Sequence, residues 1–374
     1  MSDMLPAEPA HAPRLTDVLA GAAASVRGTA PRLPHVRSAV VLVLDGLGAA
    51  NLDARAGHAR FLAAARGRKD VAVTVFPSTT AAALTSLMTG TMPGEHGIVG
   101  YRVRVPGTDV LANQLSGWEK DGLDPQTWQR SRTVFAQDPA MPAFVVSKGE
   151  YRGSGFTRAA FAGAAFLAED ALDRRLELAA ETASAHPGSL VYTYAPELDQ
   201  IGHREGWESD AWIAELERVD AAVRGLAEAL TPSVGALVTA DHGMVDVPRH
   251  AHILLEEGSP LVRDVAAIAG EPRMLHLYAE PGTAASVLER WREAESTRSW
   301  VFSRAEAIGA GLFGEVASEV APRIGDVLVA ARGRVAYYDD RVADKGPQRM
   351  IGQHGSLTSA ERIVPLIRLG AYAR

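Results

Sequence analysis

The feature that most constrains the fold is a continuous apolar run at residues 38–46, SAVVLVLDG, which ends in an aspartate and a glycine. Apolar runs without polar alternation are typical of strands that are buried on both faces of a sheet. Similar segments recur at 70–77, 142–148, 189–196 and 234–241. Helix-like segments lie between or beside them, at 80–90, 157–186 and 211–230. This alternation predicts an α/β fold with a mostly parallel sheet and helices on both faces.

The pattern also predicts a division of the chain into three regions. Residues 1–35 are rich in proline and alanine and are expected to form a leader that docks on the domain or stays mobile. Between 262 and 322 the alternation changes, which indicates a small inserted cap-like α+β subdomain. Apolar strand segments return at 324–333 and 362–370, so the main α/β core is predicted to comprise 36–261 and 323–374.

Composition excludes several classes of function. The 374-residue chain has a formal net charge of −7 and no cluster of basic residues, which disfavours binding to a nucleic-acid polymer or to a membrane surface. It has no cysteine, so disulfides, thiolate zinc ligands and thiol nucleophiles are ruled out. Neither a signal-peptide pattern nor an apolar run long enough to span a membrane is present, and the expected location is the cytoplasm. Nothing in the sequence indicates the oligomeric state.

Three aspartates and three histidines lie where predicted strands end or shortly before the last strand: Asp45, Asp199, His203, Asp241, His242 and His354. Each residue alone is explained by a helix cap, a turn or a surface hydrogen bond. Together they are hard to explain in this way, because the carboxyl ends of parallel strands meet at one edge of a sheet. Six such ligands suit two divalent metal ions, and the mixture of carboxylate and imidazole favours Zn²⁺ or Mn²⁺ over Ca²⁺ or Mg²⁺.

A cluster of hydroxyl side chains follows the second strand, in FPSTTAAALTSLMTG at 76–90. Its first members, Ser78, Thr79 and Thr80, stand where a helix is predicted to begin. A hydroxyl at this place either caps the helix or serves as a nucleophile. The segment alone leaves both interpretations open.

Five blocks in order, VLDG, STTAAALTSLMTG with GEHGIVGY, DQIGH, ADHGM and GQHG, resemble the alkaline phosphatase superfamily. Within it, the chain from 38 to 374 is similar to the nucleotide pyrophosphatase/phosphodiesterase branch. The resemblance implies that Asp199, His203 and His354 hold one metal ion. It implies equally that the second ion is held by a set that includes the nucleophile: Asp45, Asp241, His242 and Thr80. In enzymes of this family the nucleophile lies nine residues before the threonine of a Thr-Gly pair, so the resemblance implies Thr80 as nucleophile, with Thr79 as the alternative and Ser78 as the helix cap.

The resemblance also suggests three substrate contacts, and each has a structural alternative. Tyr101 stands where the branch usually has an asparagine that donates to a phosphate oxygen. Tyr194 matches a position that contacts the nucleotide in relatives, although a tyrosine there could also be a core strand residue. Lys148 is a candidate phosphate contact or an ordinary solvated charge. The aromatic residue that often follows the nucleophile is Ala81 here, so half of the usual base-stacking clamp is missing.

The resemblance predicts a metal-dependent phosphodiesterase that forms a phospho-threonyl intermediate on a small nucleotide substrate. The style of the motifs is similar to that of actinobacterial phosphodiesterases that convert cyclic di-AMP through pApA to AMP, and the cofactor is expected to be a pair of Mn²⁺ or Zn²⁺ ions. A phosphomonoesterase or phosphonate hydrolase of the same superfamily is the alternative enzyme, and a catalytically silent nucleotide sensor is the alternative from another class. The segment DGLGAAN lacks the third glycine of a dinucleotide-binding fingerprint, and STTAAA does not match the sulfatase motif.

Overall fold

A computed structural model describes residues 5–373, so the first four residues of the predicted leader and the last residue of the predicted core lie outside the described part. The strands, in chain order, are β1 Ser38–Leu44, β2 Val71–Val73, β3 Arg102–Arg104, β4 Leu111–Asn113, β5 Ala143–Ser147, β6 Ala165–Ala168, β7 Leu190–Ala195, β8 Val234–Thr239, β9 Val245–Asp246, β10 His252–Leu255, β11 Val265–Glu271, β12 Met274–Ala279, β13 Ser299–Ser303, β14 Val327–Ala331, β15 Ala336–Asp339, β16 Gly352–Gln353 and β17 Ile363–Gly370.

The α-helices, in chain order, are α1 Thr16–Val26, α2 Ala49–Ala54, α3 Arg60–Ala65, α4 Thr80–Thr89, α5 Pro93–His96, α6 Val134–Gln137, α7 Gly155–Ala160, α8 Leu172–Ala185, α9 Glu197–Glu205, α10 Asp210–Ala229, α11 Ala284–Glu295, α12 Arg304–Gly309 and α13 Ser359–Arg362. Local sequence accounts for several of their ends. The hydroxyl of Ser209 accepts a hydrogen bond from the backbone N–H of Trp212 and so caps α10. Helix α4 ends at Gly90, whose φ of 71° lies in the left-handed region that glycine adopts without strain.

A seven-stranded sheet with the order β2-β17-β8-β1-β7-β5-β6 forms the centre of the molecule. Neighbouring strands from β8 to β6 pair in parallel, whereas β17 runs antiparallel to both β8 and β2. All seven residues of β1 are buried, as are all six of β7 and of β8. Helices α1 and α4 pack together beside β1, and α8 packs on β7 and on α10. The predicted α/β fold with a mostly parallel sheet is confirmed.

One predicted helix is interrupted. The segment 157–186 contains the end of α7, the edge strand β6 and helix α8, so the expectation of a single helix is wrong. Helix α7 ends before Gly163, whose φ of 95° breaks the helical path, and β6 then pairs in parallel with β5. An edge strand lies partly in solvent, and the residues of β6 are accordingly half-buried or exposed. Its mixed pattern therefore resembled that of an amphipathic helix.

A second, antiparallel sheet lies beside the first, with the order β11-β12-β14-β13. Its core includes Val287 and Trp291 of α11, and the hairpin β3–β4 packs against β11. The sequence places the end of the inserted region at 322, but β14 is an inner strand of this sheet and extends to Ala331. The sheet therefore continues past the predicted boundary. The sequence alone assigns β14 to the core, because β14 has the same uninterrupted apolar character as the strands of the main sheet.

The described part of the leader, residues 5–35, lies against the main sheet. Leu15 and Leu19 are fully buried, and the backbone N–H of Leu15 donates to the carbonyl of Val73 in β2. Within residues 5–373, none of the helices has the length and apolar character required to cross a lipid bilayer.

Candidate metal centre and active site

The topology brings one edge of the main sheet together as the site. Asp45 follows β1, Asp241 and His242 follow β8, and α9 with Asp199 and His203 follows β7. Strands β8, β1 and β7 are neighbours, with Leu44 opposite Ala195 and Val43 opposite Thr239. Side chains that are far apart in sequence thus leave adjacent strand ends at the same level.

Asp45, Asp241 and His242 form one group of potential metal ligands, and all three are buried. The Nε2 atom of His242 lies 3.3 Å from Oδ1 of Asp45 and 3.5 Å from Oδ2 of Asp241. Such spacing is compatible with three ligand atoms that share one cation.

A second group consists of Asp199, His203 and His354. Asp199 and His203 are four residues apart on α9, so one helical face carries both side chains, and Nε2 of His203 lies 3.3 Å from Oδ1 of Asp199. His354 comes from the segment after β16, and its Nε2 lies 3.3 Å from that of His203 and 3.9 Å from the Asp199 carboxylate.

The two groups are in direct contact. The rings of His242 and His354 are stacked, with 3.5 Å between centroids and 12° between planes. The end of β1 also approaches α9 closely at Gly46, where a Cβ atom would lie 3.2 Å from Cα of Asp199. Gly46 has a φ of 75°, so both its conformation and the lack of a side chain allow the two groups to lie side by side.

The donor atoms fit cations. One carboxylate oxygen of each aspartate is buried without a hydrogen-bond donor among the described residues: Oδ1 of Asp45, Oδ1 of Asp199 and Oδ2 of Asp241. Buried oxygens of this kind normally have a partner. The Nδ1 atom of each histidine lies within hydrogen-bonding distance of a backbone carbonyl: His203 with Gly352, His242 with Gly243 and His354 with Ser78. Carbonyls only accept, so each Nδ1 donates and each Nε2 is left as the ligand atom.

The electrostatics of the protein without metal favour uncharged side chains. Burial, together with the nearby carboxylates of Asp241 and Asp199, raises the pKa of Asp45 well above its usual value. Burial also lowers the pKa of His354, and the neighbouring His242 and His203 lower it further. A neutral imidazole is the form that binds a metal ion, whereas the protonated aspartate must lose its proton. The centre is thus arranged to receive positive charge.

Thr80 is the first residue of α4 and is buried. Its Oγ1 lies 3.1 Å from Nε2 of His242, so the hydroxyl is beside the first ligand group. The expected cap, Ser78, does not cap the helix: its hydroxyl donates to the carbonyl of Ser356 at 2.8 Å. A backbone bridge between Ser78 and Gly355 directs the side chain away, and Thr79 with its extended backbone occupies the N-cap position instead.

The three predicted substrate contacts lie in different surroundings. Tyr101 lines the cavity described below. Tyr194 is nearly buried, and its hydroxyl donates to Oδ2 of Asp45. Lys148 is not among the residues that line the cavity, and its Nζ lies 3.6 Å from Oε1 of Glu197, a carboxylate that also pairs with the buried Arg175.

A cavity of about 630 Å³ opens beside the ligand groups. One wall belongs to the core and includes Thr80, Asp199, His203 and His354. The opposite wall comes from the hairpin β3–β4, from β11 and from the segment 337–350. The volume lies within the range of cavities that hold small-molecule ligands.

One residue of the cavity was not singled out from the sequence. Glu271, the last residue of β11, is 8% exposed, and its Oε1 has no hydrogen-bond donor among the described residues. Burial raises the pKa of Glu271 to about 8, an effect that Thr79 opposes and Glu361 reinforces. A strand-ending glutamate in AGEPRM carries no recognisable signal. Only the packing of the second sheet against the core brings it to the cavity.

Comparison with known proteins identifies the family. The family model of type I phosphodiesterase/nucleotide pyrophosphatase matches residues 39–357. No curated protein sequence matches the chain significantly.

Solved structures share the fold. Murine ectonucleotide pyrophosphatase/phosphodiesterase 5 has a TM-score of 0.69 at 17% identity, with 88% of this chain and 87% of that chain covered. The human protein of the same name has a TM-score of 0.70 at 16% identity, with 89% and 87% covered. Phosphonoacetate hydrolase from Sinorhizobium meliloti 1021, in complex with phosphonoformate, has a TM-score of 0.68 at 20% identity, with 91% of each chain covered.

The family model spans most of the chain, and the matched range includes all the residues that gather at the sheet edge. We conclude that this chain belongs to the type I phosphodiesterase/nucleotide pyrophosphatase family of the alkaline phosphatase superfamily and is a phosphodiester hydrolase.

Proposed function

We propose that the protein hydrolyses a nucleotide phosphodiester through a covalent phospho-threonyl intermediate on Thr80. The observation that carries the proposal is the 3.1 Å separation of Thr80 Oγ1 and His242 Nε2, which places a hydroxyl beside two adjoining groups of metal ligands. Asp45, Asp241 and His242 would hold one divalent ion, and Asp199, His203 and His354 would hold the other. Bound ions of this kind lower the pKa of a hydroxyl and stabilise negative charge at phosphorus.

The residues of the chain then have separate tasks. Thr80 Oγ forms a bond to phosphorus while the bond from phosphorus to the leaving nucleoside oxygen breaks. The hydroxyl proton of Thr80 passes to solvent, the leaving oxygen takes up a proton from solvent, and the remaining nucleotidyl group stays on Thr80. The N-terminus of α4, which Thr80 opens, favours the negative phosphoryl group through its free backbone N–H groups. Water subsequently hydrolyses the phospho-threonyl ester and restores Thr80.

One of the structural relatives supports a threonine nucleophile and a nucleotide substrate. An inactive variant of the murine ectonucleotide pyrophosphatase/phosphodiesterase 5, with alanine in place of a threonine, forms a complex with AMP. The cavity of about 630 Å³ has room for more than the reacting phosphate. We propose cyclic di-AMP as the substrate, cleaved through pApA to AMP, with Mn²⁺ or Zn²⁺ as the metal. The cytoplasmic location stays a prediction from the sequence.

A substrate panel on the purified, metal-loaded protein tests the proposal. It should comprise cyclic di-AMP, cyclic di-GMP, bis-p-nitrophenyl phosphate, p-nitrophenyl phosphate and phosphonoacetate. We expect the diesters to be cleaved with a higher kcat/KM than the monoester. Preference for the monoester or for phosphonoacetate, a ligand of the Sinorhizobium hydrolase, would replace the proposal by the corresponding reaction. Binding of a nucleotide without any turnover would indicate a sensor.

A further inference from the structure

The charges along the cavity are unevenly paired. Among the described residues that line it, the basic side chains are Arg102, Arg104 and Arg341, apart from histidine. Arg104 donates to Oδ1 of Asp109 and to the carbonyl of Thr108, both at 2.7 Å. Arg341 makes a two-point ion pair with Asp339, at 2.8 and 2.9 Å. These two guanidinium groups are therefore already neutralised within the protein.

Arg102 differs from both. Within residues 5–373 no carboxylate lies within ion-pair distance of its guanidinium, and no hydrogen bond from it is found. An arginine stays charged under all physiological conditions, and Arg102 as a residue is half-buried. A partly desolvated cation without a partner, in the wall of an active-site cavity, is a candidate ligand for an anion.

The backbone holds Arg102 in place. It pairs with Asn113 across the hairpin β3–β4, and the next residue, Val103, is fully buried on the opposite face of the strand. The hairpin is anchored to the second sheet, since the backbone N–H of Arg104 donates to the hydroxyl of Tyr278 at 2.9 Å. Arg102 therefore projects from a fixed support into the cavity that it shares with Thr80.

None of the carboxylates that line the cavity forms an ion pair with Arg102 among the described residues. Asp199 belongs to a metal-ligand group, and Oδ1 of Asp344 accepts from the backbone N–H of Gly346 at 2.8 Å. Asp199, His203 and His354 of one ligand group line the cavity from the core, and Arg102 lines it from the wall formed by the hairpin β3–β4. An unpaired cation in that wall suits a second anionic group on the same substrate.

We propose that Arg102 binds a second phosphoryl group of the substrate, distinct from the one that is cleaved. This inference rests on the proposed phosphodiesterase function and narrows its substrate class to dinucleotides or other nucleotides with two separate phosphoryl groups. Planar guanidinium groups bind phosphate oxygens through two parallel hydrogen bonds, and a charge-assisted bond of this type changes affinity by roughly tenfold or more.

Two substrates that differ in one group test the inference. The dinucleotides pApA and ApA share the scissile phosphodiester, but only pApA carries the additional 5′-phosphate. We expect the metal-loaded wild type to have a lower KM for pApA by about tenfold or more. In Arg102→Ala this preference should largely disappear through a higher KM for pApA, with ApA turnover within about twofold of wild type. Arg102→Lys should retain part of the preference.

Arg104→Ala is the matched control. It removes a guanidinium from the same face of the strand, and Asp109 already neutralises this guanidinium. This variant should keep the preference for pApA. An equal loss with both dinucleotides in Arg102→Ala would mean that Arg102 contacts the scissile phosphate, and no change would mean that it contacts neither; each result overturns the inference. If wild type cleaves neither dinucleotide, the proposed step from pApA to AMP fails. Calorimetric binding of pApA and ApA to the metal-loaded Thr80→Ala variant, with and without Arg102→Ala, then still decides the role of Arg102.

Discussion

Arg273 and Glu361 form a fully buried two-point ion pair, with 2.7 Å between Nε and Oε1 and 2.8 Å between Nη2 and Oε2. Arg273 lies in the turn between β11 and β12, whereas Glu361 lies in α13 next to the main sheet. The pair therefore joins the second sheet to the core. It is fully satisfied, because Arg273 also donates to the carbonyls of Gly333 and Val335, and Glu361 accepts from the backbone N–H of Ser356.

Loss of either partner of this pair should be costly. Arg273→Ala leaves the Glu361 carboxylate buried without its counter-ion, and such changes destabilise proteins by about 3–5 kcal/mol. We expect this decrease in the free energy of unfolding, measured by urea denaturation. Arg174→Ala, which breaks the exposed pair with Glu177, is the control and should leave the free energy of unfolding nearly unchanged. A similar decrease in the free energy of unfolding for both variants would show that the buried ion pair does not stabilise the contact between the second sheet and the core.

The nucleophile is tested by two neighbouring threonines. Thr80→Ala should lower kcat by at least about a thousandfold, because no other group can form the covalent intermediate, while Thr80→Ser should keep part of the activity. In wild type that is quenched with acid during turnover of a diester, mass spectrometry should locate a nucleotidyl group, linked through its phosphate, on Thr80. Thr79→Ala is the control, since Thr79 is the N-cap of α4. Loss of the phospho-enzyme in Thr79→Ala, but not in Thr80→Ala, would transfer the role to Thr79.

Tyr194 should act on metal binding and not on substrate binding. Its hydroxyl donates to Asp45, so Tyr194→Phe removes a group that orients a metal ligand, a loss that typically lowers metal affinity 10–100-fold. Competition with a chelator measures this affinity, and KM at saturating metal should change little. Tyr151→Phe, whose ring lies 6.2 Å from that of Tyr194, is the control. A raised KM with unchanged metal affinity would instead support the direct substrate contact that the sequence resemblance implies.

Glu271 should make the stability of the metal-free protein depend on pH. Its pKa is about 8 in the folded protein, compared with an ordinary value of 4.5. Between these two values the folded protein keeps a proton that the unfolded chain has lost, so the contribution of Glu271 to stability falls as the pH rises from 4.5 to 8.

The variant Glu271→Gln removes this dependence. Its free energy of unfolding should exceed that of wild type by a few kcal/mol at most near pH 8, on the order of 1.4 kcal/mol per unit of pKa shift, and the difference should close towards pH 5. Urea unfolding at several pH values gives the comparison, with the exposed Glu289→Gln as control. A difference between Glu271→Gln and wild type that does not vary with pH would contradict the assigned protonation.

The sequence reveals the core of the site because the strands β1, β7 and β8 are fully buried and have no polar alternation. Parallel neighbours of this kind place their carboxyl ends together, so Asp45, Asp199 and Asp241 could be expected at one edge without a structure. The structure brings these aspartates together with the three histidines in two adjoining groups. Their roles in metal binding stay predictions until an ion is measured.

Features that depend on packing between distant segments were not predictable. The hydroxyl of Ser78 turns to Ser356, which is remote in sequence, and leaves the helix start to Thr79. Glu271 reaches the cavity only because the second sheet lies against the core. Arg273, two residues further on, forms its buried ion pair only because α13 brings Glu361 to it. The periodicity of apolar residues along a segment shows which of its faces is buried, but it does not show which distant segment packs against that face.

The position of β17 has a consequence for synthesis of the protein on the ribosome. This strand is the last one described, yet it lies between β2 and β8 inside the main sheet. A nascent chain that has not yet emerged beyond His354 lacks one of the potential metal ligands and also exposes the edge of β8. Such an edge can pair with other chains, so the growing polypeptide is prone to aggregation until β17 is inserted beside β8.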